Sequence, residues 1–86
     1  MNFLSSYDEI YLQDMFGNHI AYVKFINVGG NKYVITETHV APSLAGQEID
    51  SALVSKAVKE IKGRGASVDA TCPFAKAWLI KNERLV

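Results

Sequence analysis

Val40-Ala41-Pro42-Ser43-Leu44-Ala45-Gly46-Gln47-Glu48-Ile49-Asp50, followed by Ser51-Ala52-Leu53-Val54-Ser55-Lys56-Ala57-Val58-Lys59-Glu60-Ile61, is the stretch whose reading sets the architecture. Apolar residues recur at Ile49, Leu53, Ala57 and Ile61, with Val54 and Val58 beside them, which is the spacing of a helix that buries one face. Ahead of it, Pro42 and Gly46 punctuate a turn after a β-type run that closes at Val40. The chain passes from strand through loop into a buried helix. At such a junction the first helical N–H groups have no intrahelical acceptor and carry partial positive charge, so backbone alone can hold an anion such as a phosphate.

Upstream of this stretch, Ile10 to Gln13 is a short β-prone run, and Phe16-Gly17-Asn18 turns it into a second run from Ile20 to Ile26. A further turn at Gly29-Gly30-Asn31 leads into Tyr33 to Val40, so three antiparallel strands form a meander. Tyr33 and Ile35 fall on one face of the third strand and Val34 and Val40 on the other, the pattern of a central strand covered on both faces. Downstream, the helix runs to about Lys62, where Gly63-Arg64-Gly65 supplies a left-handed stop. Ala66 to Ala70 is a short strand that completes a βαβ unit, parallel to the third strand and beside it. Pro73 suits the first position of a second helix, from Phe74 to about Lys81, with Phe74, Ala77, Trp78 and Leu79 as its buried contacts and Asn82 to Val86 as a frayed tail. The expectation is one α+β domain over residues 1–86 with a mixed, mostly antiparallel sheet.

Leu44 to Asp50 resembles the acyl-coenzyme A loop of the GNAT acetyltransferase superfamily, whose pattern is Arg or Gln, any two residues, Gly, any residue, then Gly or Ala. The later Cys72-Pro73-Phe74-Ala75-Lys76 resembles a segment that very small GNAT-like proteins pair with this loop. Where that group carries Arg-Gly-Gln-Gly-Ile-Gly, this chain has Ala45, Gly46, Gln47, Glu48, Ile49 and Asp50, so one basic residue and two glycines are replaced. The resemblance implies a GNAT-like sheet with the long helix after its third strand, and acetyl-coenzyme A as cofactor. It places the pyrophosphate on Leu44, Ala45, Gly46, Gln47, Glu48 and Ile49, with Val40, Pro73, Phe74 and Lys76 completing the surroundings. It also implies acetyl transfer to a small-molecule or peptide amine, directly or through Cys72.

The residues carry readings of their own. A thiol just before a helix lies where the helix N-terminus stabilises a thiolate, so Cys72 is a candidate nucleophile; as a lone cysteine it also reads as a small buried apolar residue. Glu37 and His39 alternate along the third strand and share a face, as a base and its orienter would, or as a solvated strand end does. Glu48 and Asp50 bring carboxylates to the first helical turn, where they either stabilise the helix by about 0.3–1 kcal/mol or compete with a bound anion. By spacing, Phe74 and Trp78 read as core.

Composition narrows the classes. The 86 residues carry a formal net charge of zero and no basic stripe, which argues against a nucleic-acid partner. One cysteine forms no internal disulfide and agrees with a reducing compartment. The amino terminus lacks a basic region followed by an apolar run, and no apolar stretch approaches the roughly 18 residues of a membrane span, so a soluble cytoplasmic protein is expected. Metal-ligand spacings, nucleotide-binding glycine fingerprints and catalytic-serine motifs are missing. A chain this short offers few walls for a substrate pocket, which a homodimer would help to complete. Two other classes stand beside the acetyltransferase: a degenerate GNAT domain that no longer binds coenzyme A and serves as an interaction module, and a thiol-reactive sensor built on Cys72.

Overall fold

The computed structural model describes residues 3–83. Its strands lie in one sheet in chain order: β1 (Leu4–Ser5), β2 (Glu9–Gln13), β3 (His19–Gly29), β4 (Lys32–Val40) and β5 (Ser67–Ala70). The first four pair antiparallel, and β5 joins β4 in parallel after the crossover helix α1 (Ile49–Gly63). Helix α2 (Pro73–Glu83) follows. The α+β class, the mixed sheet and the long helix after the meander are as expected. β1 is an addition, pairing Leu4 with Tyr11 over a run too short to show a β pattern.

Helix α1 buries Ile49, Leu53, Val54, Ala57, Val58 and Ile61, the face its spacing predicts. Each fully buried aliphatic side chain contributes roughly 1.5–3 kcal/mol, so this face anchors the domain. Gly65, at φ +76°, ends the helix: its N–H bonds the Lys62 carbonyl at 2.9 Å and the Ala66 N–H reaches Ile61 at 3.3 Å. That pair of bonds is a Schellman stop, which needs a residue without a Cβ at the left-handed position.

Both helices pack on one sheet face, formed by Ile10, Ala21, Val23, Phe25, Tyr33 and Ile35. β4 is central, as expected, but among the described residues it is covered on that side only. Its register against β3 shifts so that Lys24 faces Glu37 while Phe25 faces Ile35, leaving Thr36 as a bulge. The extra residue inverts the alternation beyond it, so Val40 joins the helix-facing side with Thr38 instead of sharing a face with Val34.

α2 also corrects an expectation. Its core residues are Ala75 and Leu79, with Cys72 just ahead of them; Phe74 and Ala77 are exposed and Trp78 is half-buried. Phe74 and Ala77 are therefore not core contacts. Asn82 is helical and not part of a tail, and residues 84–86 lie outside the described residues. Among the described residues no helix is long and apolar enough to cross a membrane.

Candidate active site

The two parallel strands part company. β5 pairs with β4 only as far as Ala70 opposite Ile35, and the N–H groups of Thr71 and Cys72 both turn back onto the Ile35 carbonyl, at 3.0 and 3.3 Å. The chain then enters α2 while β4 continues to Val40 with β3 alone at its side. The splay opens a cavity of about 360 Å³. Thr38 and Val40 of β4 form its floor, Leu44 to Gly46 one rim, Glu48 to Asp50 of the α1 start another, and Phe74 of α2 the far wall. The Thr36 bulge is what aims Thr38 and Val40 into it.

The loop is folded for backbone access. Pro42 opens a single 3₁₀ turn, in which the Leu44 N–H bonds Ala41 at 2.9 Å and the Ala45 N–H bonds Pro42 at 3.1 Å. Gly46 then takes φ +84°, and a Cβ placed there would meet nothing within 4 Å, so its main chain is open to an approaching group. Glu48, the residue before α1, also sits in the left-handed region at φ 57° and ψ 27°, where a side chain is strained. Its carboxylate makes no capping hydrogen bond. Asp50 does engage the helix start, accepting the Ser51 N–H at 2.8 Å. Of the two carboxylates, only Asp50 competes for the first-turn donors. The N–H groups of Ile49 and Asp50, which face no intrahelical acceptor, stay available to an anion.

Cys72 touches Thr38 but does not itself line the cavity. It caps α2: the Lys76 N–H bonds its carbonyl at 2.9 Å, and its Sγ occupies the place where an oxygen side chain usually accepts from the first turn. The residue is 8 % exposed, and Sγ lies 3.5 Å from Thr38 Oγ1. Burial pushes the thiol up, but donors from the backbone of Ala75, the Thr38 hydroxyl and the backbone of Phe74 and Thr38 outweigh it, and its pKa lies below that of a free thiol. Thr38 thus touches both the cavity and the sulfur.

The other candidates fall in different places. Glu37 and His39 share a face, as expected, but it is the sheet face opposite the helices, away from the cavity wall. There Glu37 accepts a hydrogen bond from the Tyr22 hydroxyl, and His39 lies 5.2 Å from the Tyr22 ring. That bond to Glu37 first, and partial burial second, raise the Tyr22 pKa. Lys76 is drawn to the end of β5, where its Nζ lies 2.8 Å from Asp69 Oδ1 and holds that carboxyl below its usual range. Pro73 and Gln47 are exposed beside the cavity. Among the described residues no group of three metal-ligating side chains comes together. Thr38 is the site residue that sequence reading missed. It stands on the face opposite Glu37, and the bulge turns that face toward the helices.

A family model described as GCN5-related N-acetyl-transferase matches residues 9–85. The chain is similar to a GCN5-like candidate N-acetyltransferase from Staphylococcus aureus, solved by NMR in solution. The two share 25% identity over 96% of this chain and 81% of that one, with a TM-score of 0.77. A crystal structure of a candidate GNAT-family acetyltransferase from Desulfovibrio desulfuricans shares the fold at 15% identity and a TM-score of 0.56, covering 67% of this chain and 38% of that one. No curated protein matches the chain.

Proposed function

Because this chain belongs to the GCN5-related N-acetyltransferase family, we propose that it binds acetyl-coenzyme A in the splay between β4 and β5 and transfers the acetyl group to an amine. The observation that carries this reading is the cavity itself: an open glycine backbone and the first turn of α1 at one end, and a β4 edge without a partner strand at the other. The residues present fit the coenzyme. Gly46 and the N–H groups of Ile49 and Asp50 would hold the pyrophosphate. Val40, Leu44 and Phe74 would line the pantetheine path and exclude water from it.

When bound, acetyl-coenzyme A would supply an acetyl thioester, whose carbon–sulfur bond is exchanged for a nitrogen–carbon bond to the amine, the proton lost by the amine passing by way of solvent to the departing thiolate to give the thiol. The chain's part is positioning and backbone donation. The Thr38 N–H lies on the β4 edge that β5 has left, where it would meet a carbonyl oxygen held in the splay. Direct transfer to the amine needs no more than this. The second reading, a relay through Cys72, is favoured by the lowered pKa of its thiol.

Single-turnover acetyl transfer by Cys72→Ser separates the two. Serine caps a helix at least as well as cysteine, so the fold should hold. Direct transfer predicts a rate within a few-fold of the natural protein. A relay predicts a loss of orders of magnitude, together with a natural-protein rate that falls as pH drops through the thiol pKa, since only the thiolate attacks. Absence of both acetyl-coenzyme A binding and transfer by the natural protein would favour the interaction-module reading.

A further inference from the structure

The sheet face opposite the helices carries three cross-strand pairs in the register of β3 against β4: Ile26 with Val34, Lys24 with Glu37, and Tyr22 with His39. Alternation puts them there, because Ala21, Val23, Phe25, Tyr33 and Ile35 take the helix side, and the Thr36 bulge keeps Glu37 in step with Lys24. Among the described residues no element packs on this face. Ile26 is 50 % exposed there, Tyr22 and Val34 are half-buried, and Lys24, Glu37 and His39 are exposed. Lys24 Nζ rests 5.0 Å from the centre of the Tyr22 ring and Glu37 accepts from the Tyr22 hydroxyl, so Tyr22 holds both charges in place. Glu9, the neighbour of Lys24 on β2, is taken by His19 at 2.9 Å. Each of the three pairs is its own complement in reverse: two aliphatic side chains, two opposite charges and two rings keep their chemistry when the members are exchanged.

We propose that a second copy of this chain docks on the face, about a two-fold axis that runs along the strands midway between β3 and β4. That axis sets Lys24 over the partner's Glu37 and Glu37 over the partner's Lys24, with Tyr22 on the partner's His39 and Ile26 on the partner's Val34. Strands of the two sheets then lie nearly aligned, as in other sheet-on-sheet layers. An axis across the strands at the same row would put Lys24 on the partner's Lys24, like charge on like. One lysine against the carboxylates of Glu9 and Glu37 makes the face a poor one for nucleic acid, whereas a second copy answers every charge with its opposite. The docked copy would also close the sheet behind the candidate active site, since Glu37 and His39 flank Thr38 on β4. None of this depends on whether the coenzyme binds.

Sedimentation equilibrium from micromolar to millimolar protein should show the mass rising from 9.5 kDa toward twice that value. Lys24→Glu alone and Glu37→Lys alone each bring like charges together at two places across the axis, and each should raise the dissociation constant at least about tenfold. An equimolar mixture of these two variants should dimerise as the natural protein does, because every pair across the axis is again opposite. So should the double variant Lys24→Glu/Glu37→Lys, which also restores the pair within the chain. A mass fixed at 9.5 kDa at millimolar protein would overturn the proposal. A dimer indifferent to both single variants would overturn it in favour of another surface. Single variants that dissociate and are not rescued by mixing, with the double variant folded and monomeric, would overturn the stacking of Lys24 on the partner's Glu37.

Discussion

Leu53→Ala should lower the unfolding free energy by about 2–5 kcal/mol, enough to unfold much of so small a domain at room temperature. Leu53 is fully buried at the middle of the α1 face, between Ile49 and Ala57, and that face is the one layer that meets β2, β3, β4 and β5 together. Removing its branched end forfeits the transfer free energy of the lost methyl groups and leaves a void that a helix held at both ends closes poorly. Lys56→Ala, on the solvent side of the same helix, should stay within about 0.5 kcal/mol. Urea melts of the two variants check the pair. A Leu53→Ala midpoint shift worth less than about 1 kcal/mol would mean that α1 does not carry the core.

At position 48 the usual order of glycine and alanine should invert, with Glu48→Gly more stable than Glu48→Ala by about 1 kcal/mol. Inside a helix, alanine is the better residue by about that amount. Glu48 lies at φ 57°, where any Cβ is strained by roughly 1–2 kcal/mol, and only glycine removes the strain. Relative to the natural protein the Gly variant should be neutral to slightly stabilised, because relief of strain offsets glycine's entropy and the loss of a carboxylate near the helix dipole. The expectation from charge and propensity alone, that glycine here weakens the helix, is the opposite. Acetyl-coenzyme A should bind more tightly to Glu48→Gly, which loses a negative charge beside the site of a polyanion. Asp50→Gly should show the trade-off in the ordinary direction, since Asp50 bonds the Ser51 N–H and its loss costs the helix a cap. Thermal melts and calorimetric titration of both variants test the contrast.

The meander, the long helix and the parallel last strand were legible because each rests on a local signal: β runs set off by Gly-rich turns, a clean helical period, and a glycine stop at Gly65. The loop between β4 and α1 was legible for the same reason, as a break between two strong patterns. Thr36 gave no such signal. A bulge is fixed by how two strands pair, and nothing in the residues at 36 distinguishes it from its neighbours, so the face of Val40 was misassigned. α2 misled in another way: Phe74, Ala75, Ala77, Trp78, Leu79 and Ile80 are apolar all around the helix, and periodicity could not say which side the sheet would take. Cys72, Ala75 and Leu79 won because the first of them is pinned against β4 by its bonds to Ile35 and Thr38. The left-handed Glu48 was visible only through the glycine that the resembling loop carries there.

The central claim is that the splay of β4 and β5 holds acetyl-coenzyme A, and titration of the coenzyme into ¹⁵N-labelled protein, followed by amide chemical shifts, tests it most directly. The account predicts that the largest changes fall on Thr38, Gly46, Ile49, Asp50 and Phe74, the walls of the cavity. A protein whose amides do not move at millimolar acetyl-coenzyme A, or move only on the helix-free sheet face around Tyr11, Tyr22 and His39, would contradict it.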